Sequence, residues 1–93
     1  MDIRFYFDPE TKQPHISNHG VSEDEVSQVL RGRGEDLPAA RGCRMKLGQT
    51  AAGRYLQVVY APDEAPDCVF VITAYELLGK AKKAFRRRQR RKP

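Results

Sequence analysis

Arg41, Arg44, Lys46 and Arg54 stand close in sequence to Tyr55, Tyr60 and Tyr75. Guanidinium forks match phosphate oxygens two bonds at a time, and tyrosine rings stack on unpaired bases. Basic side chains interleaved with aromatics are what a single-stranded RNA site needs. A second concentration of charge closes the chain. Residues 80–93 hold nine Lys or Arg (Lys80, Lys82, Lys83, Arg86, Arg87, Arg88, Arg90, Arg91 and Lys92) and no acid. Lys83, Arg86, Arg87, Arg88, Arg90 and Arg91, with Lys46 from the first group, are the candidate nucleic-acid-binding residues. A solvated run that serves only solubility is the competing reading.

Other chemistries find less support. His15 and His19 have the H-x-x-x-H separation, but Pro14 and Gly20 flank them and no cysteine is near, which argues against a zinc site. There is no G-x-S-x-G segment, and neither Cys43 nor Cys68 has an evident base beside it, so nothing supports a serine or cysteine nucleophile. Arg31-Gly32-Arg33-Gly34 lacks the preceding strand and following helix of a phosphate loop and reads as helix termination. No metal and no cofactor are expected.

The elements that must position these residues follow from patterning. Ile3, Phe5 and Phe7 alternate with polar neighbours, as in a strand with one buried face, and Asp8-Pro9 stops it. Glu10–His19 is polar, broken by Pro14, and reads as loop with at most one helical turn. Ser22 and Glu25 form an S-x-x-E capping box, followed by Val26, Val29 and Leu30 on one helical face, so a helix spans Ser22–Arg31. Val21 is placed to staple onto Val26. Cys43–Leu47 is a weakly patterned strand, Gly48–Gly53 a turn, and Pro62–Asp67 a hairpin loop. Tyr55–Ala61 and Cys68–Tyr75 are continuous apolar, β-branched runs suited to central strands. From Glu76 onward Leu77, Leu78, Ala81, Ala84 and Phe85 fall at helical spacing among Lys and Arg. Residues 89–93 lack an apolar anchor and are expected to fray.

The order β-α-β-β-β-α describes a small antiparallel sheet packed by helices, an α+β fold. A single domain over 1–85 with a basic tail at 86–93 fits a chain of 93 residues, which buries roughly 60% of its surface on folding. The net charge of +5 conceals an imbalance: 1–79 hold eight basic and twelve acidic residues. An acidic body with a basic end points to a polyanion or an acidic protein as partner. No apolar run is long enough to span a membrane, and Met1-Asp2-Ile3-Arg4 opens no signal peptide, so the cytoplasm is the expected compartment, with both cysteines as free thiols.

Several short segments share an order and spacing with a known family. They are Asp8-Pro9; then, eleven residues after Asp8, His19-Gly20-Val21-Ser22; then Gly53-Arg54-Tyr55-Leu56-Gln57-Val58-Val59-Tyr60; and last Val71-Ile72-Thr73-Ala74-Tyr75. From Phe7 to Tyr75 the chain resembles the BrnT branch of the RelE/ParE-like toxins and a related branch of short proteins whose last strand ends V-I-T-A-Y. The resemblance implies a RelE-like fold and a type II toxin. Such a toxin is a metal-independent endoribonuclease that drives an RNA 2′-hydroxyl onto the adjacent phosphate, with RNA, the ribosome and an acidic antitoxin as partners. That chemistry asks for positive charge at the pentavalent phosphate and a placed proton acceptor.

Carried over by position, Arg54 matches the arginine of the G-R-x-L segment and becomes a phosphate clamp. Arg44 matches the arginine that opens the preceding strand. His19 matches the H-G-V histidine, as a base or as the residue that orients the loop before the capped helix. Tyr75 stands where the family has the arginine of I-I-S-A-R and completes the candidate catalytic set, leaving Arg86 or Arg87 to supply that charge. A non-catalytic nucleic-acid-binding or regulatory module built on the basic helix is the other open reading.

Overall fold

Ser22 opens the first helix, α1 (Glu23–Arg31), as the S-x-x-E spacing requires. Its Oγ accepts the Glu25 N–H at 3.1 Å, and the Glu25 carboxylate accepts the Ser22 N–H at 3.0 Å. Val26, Val29 and Leu30 form the buried face of α1, each contributing about 1.5–3 kcal/mol relative to exposure. Gly32 ends it. These observations come from a computed structural model that describes residues 1–65 and 67–91. Pro66 of the expected hairpin loop, and Lys92 and Pro93 of the expected tail, lie outside the described residues.

One five-stranded sheet takes the order β1-β5-β4-β3-β2. Its strands are β1 (Asp2–Phe5), β2 (Gly34–Pro38), β3 (Arg44–Gln49), β4 (Tyr55–Pro62) and β5 (Cys68–Glu76). The class is α+β, but two expectations need correction. The sheet is mixed rather than antiparallel, because β1 pairs parallel to β5, with Asp2 opposite Cys68 and Phe5 opposite Val71. The order is β-α-β-β-β-β-α, because β2 is an additional strand.

Gly34-Glu35-Asp36-Leu37-Pro38 has the composition of a loop. It becomes a strand by pairing with β3 from Gly34 opposite Gly48 to Pro38 opposite Arg44. Two glycines permit close approach here, Gly34 of β2 to β3 and Gly48 of β3 to α1. A Cβ at Gly34 would sit 2.0 Å from the Leu47 carbonyl oxygen, and one at Gly48 would meet the Val29 side chain at 3.0 Å.

The sheet separates two unequal cores. On one face α1 and a single 3₁₀ turn (His15–His19) cover Leu56, Val58, Tyr60, Val71 and Ala74. Val21 and Val26 are buried together there. On the other face Leu47, Leu77 and Phe85, with Tyr55, form a small cluster under the second helix, α2 (Gly79–Arg91).

The last strand continues through Glu76, and Leu77 donates its N–H to the Tyr55 carbonyl at 2.9 Å. The helix therefore starts later than its apolar spacing suggested: Leu78 is 66% exposed, Ala81 is exposed, and Phe85 alone is buried. Residues 86–91 form the last turns of α2. Residues 89–91 are helical rather than frayed.

Val59 lies opposite Thr73 and Tyr60 opposite Val71, which leaves Ile72 as the extra residue of a β-bulge. Cys43 and Cys68 are free thiols. Among the described residues no helix is long and apolar enough to cross a membrane.

Candidate nucleic-acid interface

Arg54 is a joint between elements. Its Nη1 donates to the Gly20 carbonyl at 2.8 Å and to both Glu25 carboxylate oxygens at 3.1 and 3.2 Å, and its Nε donates to Glu76 at 3.3 Å. Burial works against its charge, but the two carboxylates outweigh that and hold its pKa above the usual arginine value. The Ser22 N–H, ahead of Arg54, holds the Glu25 carboxyl below its ordinary range. A guanidinium so engaged ties the helix start to the end of the last strand.

Arg44 is engaged at the far end of β3. It donates from Nε to Asp36 at 2.8 Å, and the Tyr60 hydroxyl donates to the other oxygen of the same carboxylate. Burial, and after it the Asp36 carboxylate, push the Tyr60 pKa up to about 12. Arg44 pairs with Tyr60, while Arg54 precedes Tyr55, the partner of Gln49. The two arginines are thus separated by the length of β3, ~17 Å at ~3.4 Å per residue. Both lie on the α1 side of the sheet, and the structure does not bring them together.

Lys46 lies between them and donates to the carbonyls of Leu30 (3.4 Å) and Gly32 (2.8 Å). A cation there satisfies carbonyls at the negative end of the α1 dipole, which explains its charge without a ligand. Pairing also divides the tyrosines. Tyr60 shares its face with Arg44, whereas Tyr55 is in the cluster beneath α2 and Tyr75 lies opposite Gln57. The arginines and tyrosines that alternate in the sequence do not form one surface.

His19 and Tyr75 do meet, their ring centroids 6.0 Å apart, and the Gln57 amide donates to the Tyr75 hydroxyl at 2.8 Å. The 3₁₀ turn adds a residue not expected in that set: the His15 ring lies edge-on to His19 at 5.4 Å. His15 Nδ1 is 3.3 Å from Asp8, which also accepts from Asn18 at 2.8 Å. Asn18, and after it His15, hold the Asp8 carboxyl below its ordinary range. The proline that breaks the segment caps this turn.

The largest unneutralised charge is on α2. Lys83, Arg86, Arg87 and Arg90, at i, i+3, i+4 and i+7, line one shallow groove of about 220 Å³. Among the described residues none of the four makes an ion pair; those formed are Arg54, Arg44, Arg4, Arg88, His15 and the N-terminus with their carboxylates. Arg88 turns the other way and grips Glu35 at 2.6 and 2.8 Å, which raises its pKa and clamps α2 to β2. Arg91 is exposed at the last helical position described.

A second, larger cleft of about 410 Å³ opens between α2 and the sheet. Tyr55 and Phe85, edge to face at 6.0 Å, line it together with Arg86 and Arg90. Arg33, Gln49 and Gln89 complete the lining. The sequence reading missed Arg33, because its Gly-Arg-Gly context is also that of a helix end. The helical spacing of Lys83, Arg86, Arg87 and Arg90 was the legible signal.

Comparison with protein-family models, curated proteins and solved structures returns no match for this chain.

Proposed function

We propose that this protein binds RNA through the basic face of α2. The observation that carries the reading is the groove of Lys83, Arg86, Arg87 and Arg90, four cations on one helical face with no ion pair among the described residues. Helix-borne cations spaced by one turn follow a phosphate backbone, and the neighbouring Tyr55 adds an aromatic surface of the type on which bases stack.

Neutralising four phosphates of a single strand releases their counterions, with a slope of log K against log salt of about −3. Fluorescence anisotropy on a short single-stranded RNA is expected to lose roughly 50-fold in affinity from about 50 to about 200 mM salt. A K83Q/R87Q variant is expected to bind more weakly and to flatten the slope by about half. A slope near zero, or equal binding by the variant, would reject the reading.

A second reading, the metal-independent endoribonuclease of a toxin–antitoxin pair, is favoured by the His15–His19 ring pair with Asp8 on one imidazole. Two imidazoles can divide the base and acid roles that 2′-hydroxyl attack requires. In this reading Arg44 and Arg54 serve as phosphate clamps only by leaving their carboxylates. The same RNA samples, run on a denaturing gel with and without ribosomes, test it: cleavage ending in a cyclic phosphate and abolished by H19Q supports it, and intact RNA rejects it. An acidic antitoxin would dock by charge on the α2 face and compete with RNA there.

A further inference from the structure

The cleft between α2 and the sheet has features that a simple phosphate-tracking ridge does not need. Arg33, between α1 and β2, and Arg86 and Arg90, on α2, come to it from parts of the chain far apart in sequence, and among the described residues none of them makes an ion pair. Three guanidinium groups around one hollow repel one another, and an anion seated between them removes that cost. Arg86 also lies 5.8 Å from the Tyr55 ring centre, so a planar cation and an aromatic ring stand together in one wall.

A further observation is the Gln89 side chain. Its Nε2 is shielded from solvent and has no hydrogen-bond partner among the described residues. A buried amide donor without an acceptor is costly, and native structures keep such groups rarely. Gln89 lines the cleft, so a turn of its amide towards a bound acceptor would satisfy it. Gln49, across the hollow, brings a second amide. The volume of about 410 Å³ is far larger than a lone phosphate requires and falls in the range of small-molecule sites.

We infer that this cleft holds one nucleotide: its phosphate among Arg33, Arg86 and Arg90, its base against Tyr55 and the Arg86 plane, with the Gln49 and Gln89 amides at polar edges. The ligand chemistry is a nucleoside 5′-phosphate, whether free or as one unit of an unpaired strand. As an RNA site it rests on the reading given above for α2. A base held in duplex cannot enter such a cleft, so the occupant is unpaired.

The test is a heteronuclear NMR titration of the full chain with AMP and with UMP, and in parallel with adenosine and with inorganic phosphate. Either nucleotide is expected to shift the amides of Arg33, Gln49, Tyr55 and residues 85–90, with adenosine and phosphate each at least tenfold weaker. R33Q, at an exposed position, is expected to weaken nucleotide binding at least fivefold. R4Q, on β1 at the far edge of the sheet and outside both the groove and the cleft, is expected to change it less than twofold. Q89M removes the orphan donor, so it is expected to raise the melting temperature while weakening nucleotide binding.

Absence of cleft shifts with both nucleotides, shifts reproduced in full by phosphate alone, or indifference to R33Q would each overturn the proposal. Oligonucleotide binding that survives such a result leaves the α2 reading standing. Nucleotide binding in the cleft without salt-dependent RNA binding would instead reject the α2 reading alone. A short RNA that competes with the mononucleotide for the cleft assigns the site to a strand, and failure to compete assigns it to the free nucleotide.

Discussion

Arg54 shows how the place of a residue in the chain and its contacts can point to different roles. The family resemblance leads one to expect a phosphate clamp; by its contacts it holds Gly20, Glu25 and Glu76 together. Replacing it by alanine strips a carbonyl and two half-buried carboxylates of their charged donor, and such hydrogen bonds are worth about 1.5–3 kcal/mol together with the cost of the groups left behind. R54A is therefore expected to lower stability by about 2 kcal/mol in urea unfolding, with RNA affinity changed less than about twofold. A variant that unfolds like the parent but loses RNA cleavage would restore the clamp. Lys46 teaches the same lesson with a simpler partner, the carbonyl end of α1.

At the scale of elements, α2 is held to the sheet by a small set of side chains. It is attached by Phe85 in the small cluster with Leu47, Leu77 and Tyr55, by the Arg88–Glu35 pair, and by Lys82 over the Tyr55 ring at 5.4 Å. A helix rich in like charges repels itself, so its helicity depends on that attachment. Phe85→Ala is expected to cost about 3–5 kcal/mol where the fold cannot collapse onto the space, and to release α2 rather than unfold the sheet. The expected signature is fast amide exchange confined to 79–91 together with a loss of RNA affinity. Retained affinity would show that charge alone, without a fixed helix, does the binding. The α1 side differs: its cap, staple and three buried apolar residues make it a self-consistent unit.

At the scale of the molecule, an acidic body carries a basic helix on one face of its sheet, and the carboxylates of that body set its acid limit. Asp8, Glu25 and Asp36 titrate below the ordinary values of 3.8 for aspartate and 4.5 for glutamate. For Asp36, burial pulls the other way but the Tyr60 hydroxyl and Arg44 prevail. As pH falls below those ordinary values the unfolded chain takes up protons first, so the stabilisation present at neutral pH drains away through the folded-state values. Tyr60 acts at the other end: its neutral form is favoured in the fold, so its contribution is full below pH 10 and is lost as pH rises towards about 12. Chemical denaturation across pH is expected to show a plateau between these limits, falling below about 4.5 and above about 10. A flat acid limb in a D36N variant, with the parent falling, would assign much of that limb to the Asp36 network.

The local rules were enough for α1, β4 and β5, because a capping box and runs of β-branched residues mark an element with residues adjacent in the chain. They were also enough for the charge asymmetry, eight bases and twelve acids in 1–79 against nine bases and no acid in 80–93. The strand at Gly34–Pro38 was hidden, since its composition is that of a turn and only pairing with the Arg44–Gly48 backbone makes it a strand. So was the parallel seat of β1 against β5, which joins residues more than sixty positions apart and leaves no periodic trace. The same holds for the site. Which arginines are spent on carboxylates and which face a cleft depends on what lies opposite them in space, and one-dimensional spacing carries no record of a side chain's counter-charge.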